Sequence, residues 1–140
     1  MDHVVYVDAK AKELTEILNR NKTMIIRGAT GRKMPYGRVN KDDMLYLIEN
    51  DGSVLVRASA KVVSVFNSEK MTQQESISLV EQHQGKLQLT ASQNKRWAGK
   101  RYLVLIEIDE VEALDPFRID KREFGNMDDW LPVGDIGKVS

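Results

Sequence analysis

Cysteine is absent from the 140 residues, and there are only three prolines and two histidines. Each shortage closes off a class of chemistry. Without thiols there is neither a disulfide framework nor a thiolate metal site. His3 and His83 stand far apart, too sparse a set for a dedicated zinc centre, so no metal and no cofactor is expected. No apolar run approaches the length of a membrane span. The opening "MDHVVYVDAK" lacks the basic and apolar regions of a signal peptide. A cytoplasmic protein without a membrane partner is expected. An excess of charge is missing too: 21 Lys and Arg balance 21 Asp and Glu. A chain that grips nucleic acid over its whole surface is basic overall, so at most a local basic site is available here.

The composition that remains is that of an ordinary globular chain, 41% hydrophobic and 30% charged. Its length suits a single domain over residues 1–140, expected as a monomer or weak dimer. The zero net charge hides a division. From Ile17 to Lys41 there are seven basic residues and no acid, whereas from Glu107 to Asp135 ten acids face three basic residues. Two solvated faces of opposite sign would produce the same pattern.

Periodicity places the elements. "HVVYV" is a β-branched strand. Asp8 offers an N-cap to a helix with Leu14, Ile17 and Leu18 at helical spacing. "KTMIIR" and "MLYLIE" are strands, and "NDG" marks a hairpin turn into the long strand "VLVRASAKVVSVF". Its small residues Ala58, Ser59 and Ala60 permit a bend where a sheet curls. Thr72 and Glu75 fit a capping box opening a helix that should stop near Gly85. "NKRWAGK" reads as a loop or short helical turn. "RYLVLIEID" is the strongest strand, with an apolar centre suited to a position covered on both faces. "LDPF" should break the chain, and "NMDDWL" should form a terminal turn docking Trp130 as a hydrophobic plug. About five strands and two or three helices make an α+β domain, better suited to a small curled barrel than to a doubly wound sheet.

The stretch after the second strand, "GATGRKMPYGR", is a glycine-punctuated basic loop. Its glycine spacing is too short for a P-loop, no Ser or Thr follows Lys33, and a dinucleotide fingerprint fails on the same spacing. What survives is Lys22 and Arg27 flanking a strand, then Arg32, Lys33 and Arg38 around Tyr36. Arginine binds phosphate bidentately, and an aromatic ring offers a stacking surface. Trp97, beside Arg96, is the further stacking candidate. Each has a structural alternative: strand-end charges, a solvated loop, a turn aromatic, a core-capping tryptophan.

The run from Lys22 through Phe66 resembles the ASCH domains of the PUA-like superfamily, with looser similarity to Ile108. Lys22 and Arg27 stand at the Lys and Arg of a GxKxxExR segment. Asp43 stands at the Asp of the "GD" before a strand, and "VRASAKVVSVF" matches the strand that follows. Arg20, Ile25 and Asp42 depart from the pattern. The resemblance implies a PUA-like β-barrel with a basic cleft and RNA-linked biology. In some members it implies hydrolysis of acetylated cytidine, with a lysine at Lys22, a glutamate that would be Glu75 or Glu81, and a threonine where this chain has Ile25.

Three functions follow. The first is binding of single-stranded RNA or a nucleobase-containing small molecule by Lys22, Arg27, Arg32, Lys33, Tyr36, Arg38 and Trp97. The second is an amidohydrolase acting on an acylated cytidine nucleoside, with Lys22 and Glu75 as catalytic residues. The third is a protein-interaction module, in which the basic loop meets an acidic partner; the acidic stretch "DEVEALDPFRID" is a candidate to cover the basic cleft of its own chain.

Overall fold

The computed structural model describes residues 1–120 and 129–140. The strands are β1 (Asp2–Val7), β2 (Met24–Ala29), β3 (Met44–Glu49), β4 (Leu55–Asn67), β5 (Tyr102–Arg118) and β6 (Trp130–Gly134). The helices are α1 (Glu13–Leu18), α2 (Gln73–Leu87) and α3 (Ala91–Trp97). The strands join in one sheet of order β2-β5-β4-β3-β1-β6, antiparallel except for the parallel pair β1 and β3. The result is an α+β half-barrel.

The curl comes from β4. Its ladder with β5 shifts register three times, between Val56 and Ala58, Ser59 and Lys61, and Val62 and Ser64. Each extra residue bends the strand and increases its twist. Ala58 and Ala60 are fully buried, and small side chains let the inner face close there. The inner half of β5 is held between β2 and β4 and is covered on both faces. Val104, Ile106 and Ile108 join the barrel core with Ile25, Leu45, Leu47 and Trp130. Leu103 and Leu105 instead pack beneath the helices, with Met24, Ile26, Val80, Leu87 and Trp97. Gly28 is required where β2 meets β5, because a Cβ there would lie 2.6 Å from Leu103 Cδ2.

Four expectations need correction. The chain does not break at "LDPF". Strand β5 runs through it, with residues 114–116 accommodated in the bulge between the Ala58↔Ala113 and Val56↔Phe117 pairs, where a proline costs no ladder bond. Helix α2 runs two residues past Gly85 and ends on Gln88 in the left-handed conformation. Asp8 does not cap α1 directly: its carboxylate accepts from the Ala11 amide in the preceding turn, and the helix opens at Glu13. The terminal turn over "NMDDWL" falls partly outside the described residues, but Trp130 and Leu131 form a strand, β6. The Thr72–Glu75 capping box is present, and "TASQNKRW" adds a second box from Thr90 to Gln93 that makes α3 a true helix.

Candidate functional site

Where β2 leaves the barrel and α3 packs across its end, a two-lobed cleft opens around Arg27. The inner lobe, about 240 Å³, is lined by Tyr6, Asp8, Glu13, Ile26, Asn50, Leu89 and Gln93. The outer lobe, about 650 Å³, is lined by Gly28, Ala29, Thr30, Lys33, Met34 and Lys100. Arg27, Arg96, Trp97 and Asp129 belong to both. They form the waist.

Alternation along β2 turns Ile25 and Arg27 toward the barrel, while Met24 and Ile26 face the helices. Arg27 is therefore a charge at the rim of the apolar core. Its guanidinium lies 5.7 Å from the Trp97 ring and 5.6 Å from the Trp130 ring. It donates from Nη1 to the Ile26 carbonyl and from Nη2 to the Tyr6 carbonyl. Cation–π contact and carbonyl dipoles together compensate a cation that is otherwise nearly out of water. Trp130 is itself fixed from behind. Its indole N–H donates to His3 Nδ1 at 3.1 Å, and His3 Nε2 then donates to Asp43 at 2.8 Å.

Lys22 lies off the cleft. Its ammonium is buried, 3.3 Å from Glu13 Oε2, and donates to the Leu87 carbonyl at the end of α2. Burial pushes its pKa below the ordinary lysine value, and Glu13 works against that shift. Lys22 meets the inner lobe only through Glu13. Glu75, by contrast, is exposed, and its carboxylate accepts from the Thr72 amide at 2.9 Å. Ile25, at the position where the resemblance implied a threonine, is wholly buried.

The remaining basic-loop residues take other places. Lys33 reaches the outer lobe. Arg32 lies 5.6 Å from both the Tyr36 and Tyr102 rings, and Tyr36 donates its hydroxyl to the Ser68 carbonyl. Arg32 and Arg38 are exposed and line neither lobe. Trp97 is 8% exposed and its ring carries Arg96 at 4.3 Å, so a stacking ligand would have to share or displace that guanidinium. Asp43, at the "GD" position, is a buried acceptor for His3 and the Asn40 amide.

Sequence reading missed Glu13, Arg96, Lys100 and Asp129 at this site. A signal existed for two of them: Arg96 and Lys100 flank the tryptophan that drew notice. The acidic stretch suggested as a cover for the basic cleft is the outer half of β5, paired with β4. Among the described residues, the acid paired with both cleft guanidinium groups is Asp129. Among the described residues no cluster of potential metal ligands is found, and no helix is long and apolar enough to cross a membrane.

A curled sheet with a parallel β1–β3 pair, helices over β2 and β5, and a cleft at the barrel end define an α+β half-barrel class. More narrowly, the chain has the ASCH-domain fold. It is similar over 99% of its length to the crystal structure of ASCH from Zymomonas mobilis, covering 96% of that chain with a TM-score of 0.68 at 12% identity. A tyrosine-to-phenylalanine mutant of that protein matches over 99% of both chains, with a TM-score of 0.68 at 14% identity. No family model and no curated protein matches the sequence.

Proposed function

We propose that the cleft binds single-stranded RNA or a nucleobase-containing ligand. The observation that carries this reading is the waist, where two guanidinium groups and an indole meet between a small inner lobe and a wider basic one. The inner lobe offers Asn50, Gln93 and carboxylate acceptors to the edge of a base. Arg96, Lys33 and Lys100 stand where a sugar–phosphate chain would leave it. Phosphate contacts make affinity fall with salt by a log–log slope of about 0.7 per contact, so three or four give about 2 to 3. Fluorescence titration with a short RNA oligomer tests this. Arg96→Ala and Lys100→Ala should flatten the slope, and Arg38→Ala, off the lobes, should change it less. Absence of binding at low salt would refute the reading.

A second reading, hydrolysis of an acylated cytidine, draws on one feature: an amine of lowered pKa, Lys22, beside a buried carboxylate, Glu13. With Ile25 replacing a hydroxyl, little turnover of acetylated cytidine is expected. Robust turnover by the purified protein would reverse the order of the two readings.

A further inference from the structure

The waist of the cleft already holds an anion, and holds it imperfectly. Two nitrogens of Arg27 are committed to carbonyls, at 2.8 Å from Nη1 to Ile26 and 2.6 Å from Nη2 to Tyr6. The third, Nε, is buried and makes no hydrogen bond. An oxygen of Asp129 lies 3.3 Å from it and 3.8 Å from Arg96, near enough for an ion pair at each but without hydrogen-bond geometry at Nε. A buried cationic donor left without an acceptor forfeits much of the compensation for its lost hydration. A phosphate group, with several oxygens at tetrahedral spread, can meet both guanidinium groups where one carboxylate oxygen does not.

The two partners differ in freedom. The Arg27 side chain is 8% exposed and pinned, whereas that of Asp129 is 39% exposed. The Asp129 carbonyl accepts from the Tyr6 amide at 2.9 Å, so its backbone stays anchored when the side chain turns. A carboxylate that swings toward water regains its hydration at little cost. Arg27 has no such exit.

We propose that Arg27 and Arg96 form the phosphate subsite of the cleft, and that the Asp129 carboxylate occupies it in the free protein and is displaced by a phosphate-bearing ligand. The inference rests on the nucleic-acid reading of the cleft and adds a built-in competitor to it. Affinity in the wild-type protein is thereby held below what the two arginines would give, and the ligand must bring an anion strong enough to replace the carboxylate.

The test is a fluorescence anisotropy titration of a labelled short RNA oligomer at low salt against the wild-type protein, Asp129→Asn and Asp109→Asn. Asparagine keeps the shape and the backbone bond but lifts the charge from Arg27. Asp109, an exposed partner of Arg20 outside the cleft, controls for overall charge. Asp129→Asn should bind several-fold to about tenfold more tightly, Asp109→Asn should match wild type, and adding Arg96→Ala to Asp129→Asn should remove the gain. Equal binding by wild type and Asp129→Asn would overturn the inference while leaving the cleft reading intact. Equal tightening by both asparagine variants would overturn it too, leaving a charge effect alone. If no form binds, the cleft reading fails and the inference falls with it.

Discussion

His3 shows how much one side chain decides here. It is fully buried, accepts from Trp130 on Nδ1 and donates to Asp43 from Nε2, an arrangement open only to the neutral ring. Protonation would turn Nδ1 into a donor facing the indole N–H. Burial pushes the His3 pKa below its ordinary 6.5, against the pull of Asp43. Burial works to raise the Asp43 carboxyl, but the Asn40 amide, the hydrogen bond from His3 and the N-terminal ammonium hold it below 3.8. In both cases the unfolded chain takes the proton more readily, so stability rises with pH. The His3 contribution is complete above 6.5 and is lost as pH falls through the folded value; that of Asp43 follows below 3.8. The thermal midpoint should therefore fall in two steps on acidification, with His3→Gln lacking the first. A midpoint flat from neutrality down to the carboxylate range would contradict this. Nothing local announced the network, because its members sit at residues 3, 43 and 130. The same holds for the waist. Arg27 and Trp97 were legible as individual residues, but their meeting depends on pairing β2 with β5 and on a helix at "ASQNKRW". Asp129 carried no pattern of its own.

Among the elements, strands declared themselves where both faces or one face were clearly apolar. "HVVYV", "MLYLIE", "VLVRASAKVVSVF" and the first half of β5 all stand where their β-branched and apolar runs placed them. The outer half of β5 did not, because its burial is slight beyond Ile108 and Pro116 reads as a breaker unless the bulge is known. Helix α3 hid for a related reason: it is seven residues long, too short for apolar periodicity to register, and its capping box was the better clue. The inner half of β5 should be the most protected segment of the chain. Leu103 to Ile106 are at most 2% exposed, and β5 has a hydrogen-bonded neighbour on each side. Native-state hydrogen exchange should find those amides among the slowest, opening only with global unfolding. Fast exchange there would reject this register.

Across the whole molecule, the strand order 2-5-4-3-1-6 places β1 between β3 and β6, so the first strand of the sequence is flanked by the last. Strand β6 pairs with it from Asp2↔Gly134 to Val5↔Trp130 and brings Trp130 into the barrel core. The Asp2 carboxylate accepts from the Ile136 amide at 2.8 Å. A chain shortened to residue 129 should fail to reach a compact native state, because it loses that tryptophan and exposes an edge of β1. Limited proteolysis and circular dichroism would show this, and a cooperative thermal transition in the shortened chain would refute it. The same closure has a meaning in time. During synthesis, β1 is made long before β6 and must wait for residues 130–134 before both of its edges are covered. Until then a strand of Val4, Val5 and Val7 stands with an open edge, the kind of segment that pairs with strangers. The chain should thus be most prone to aggregate in the interval before residues 130–134 have been made.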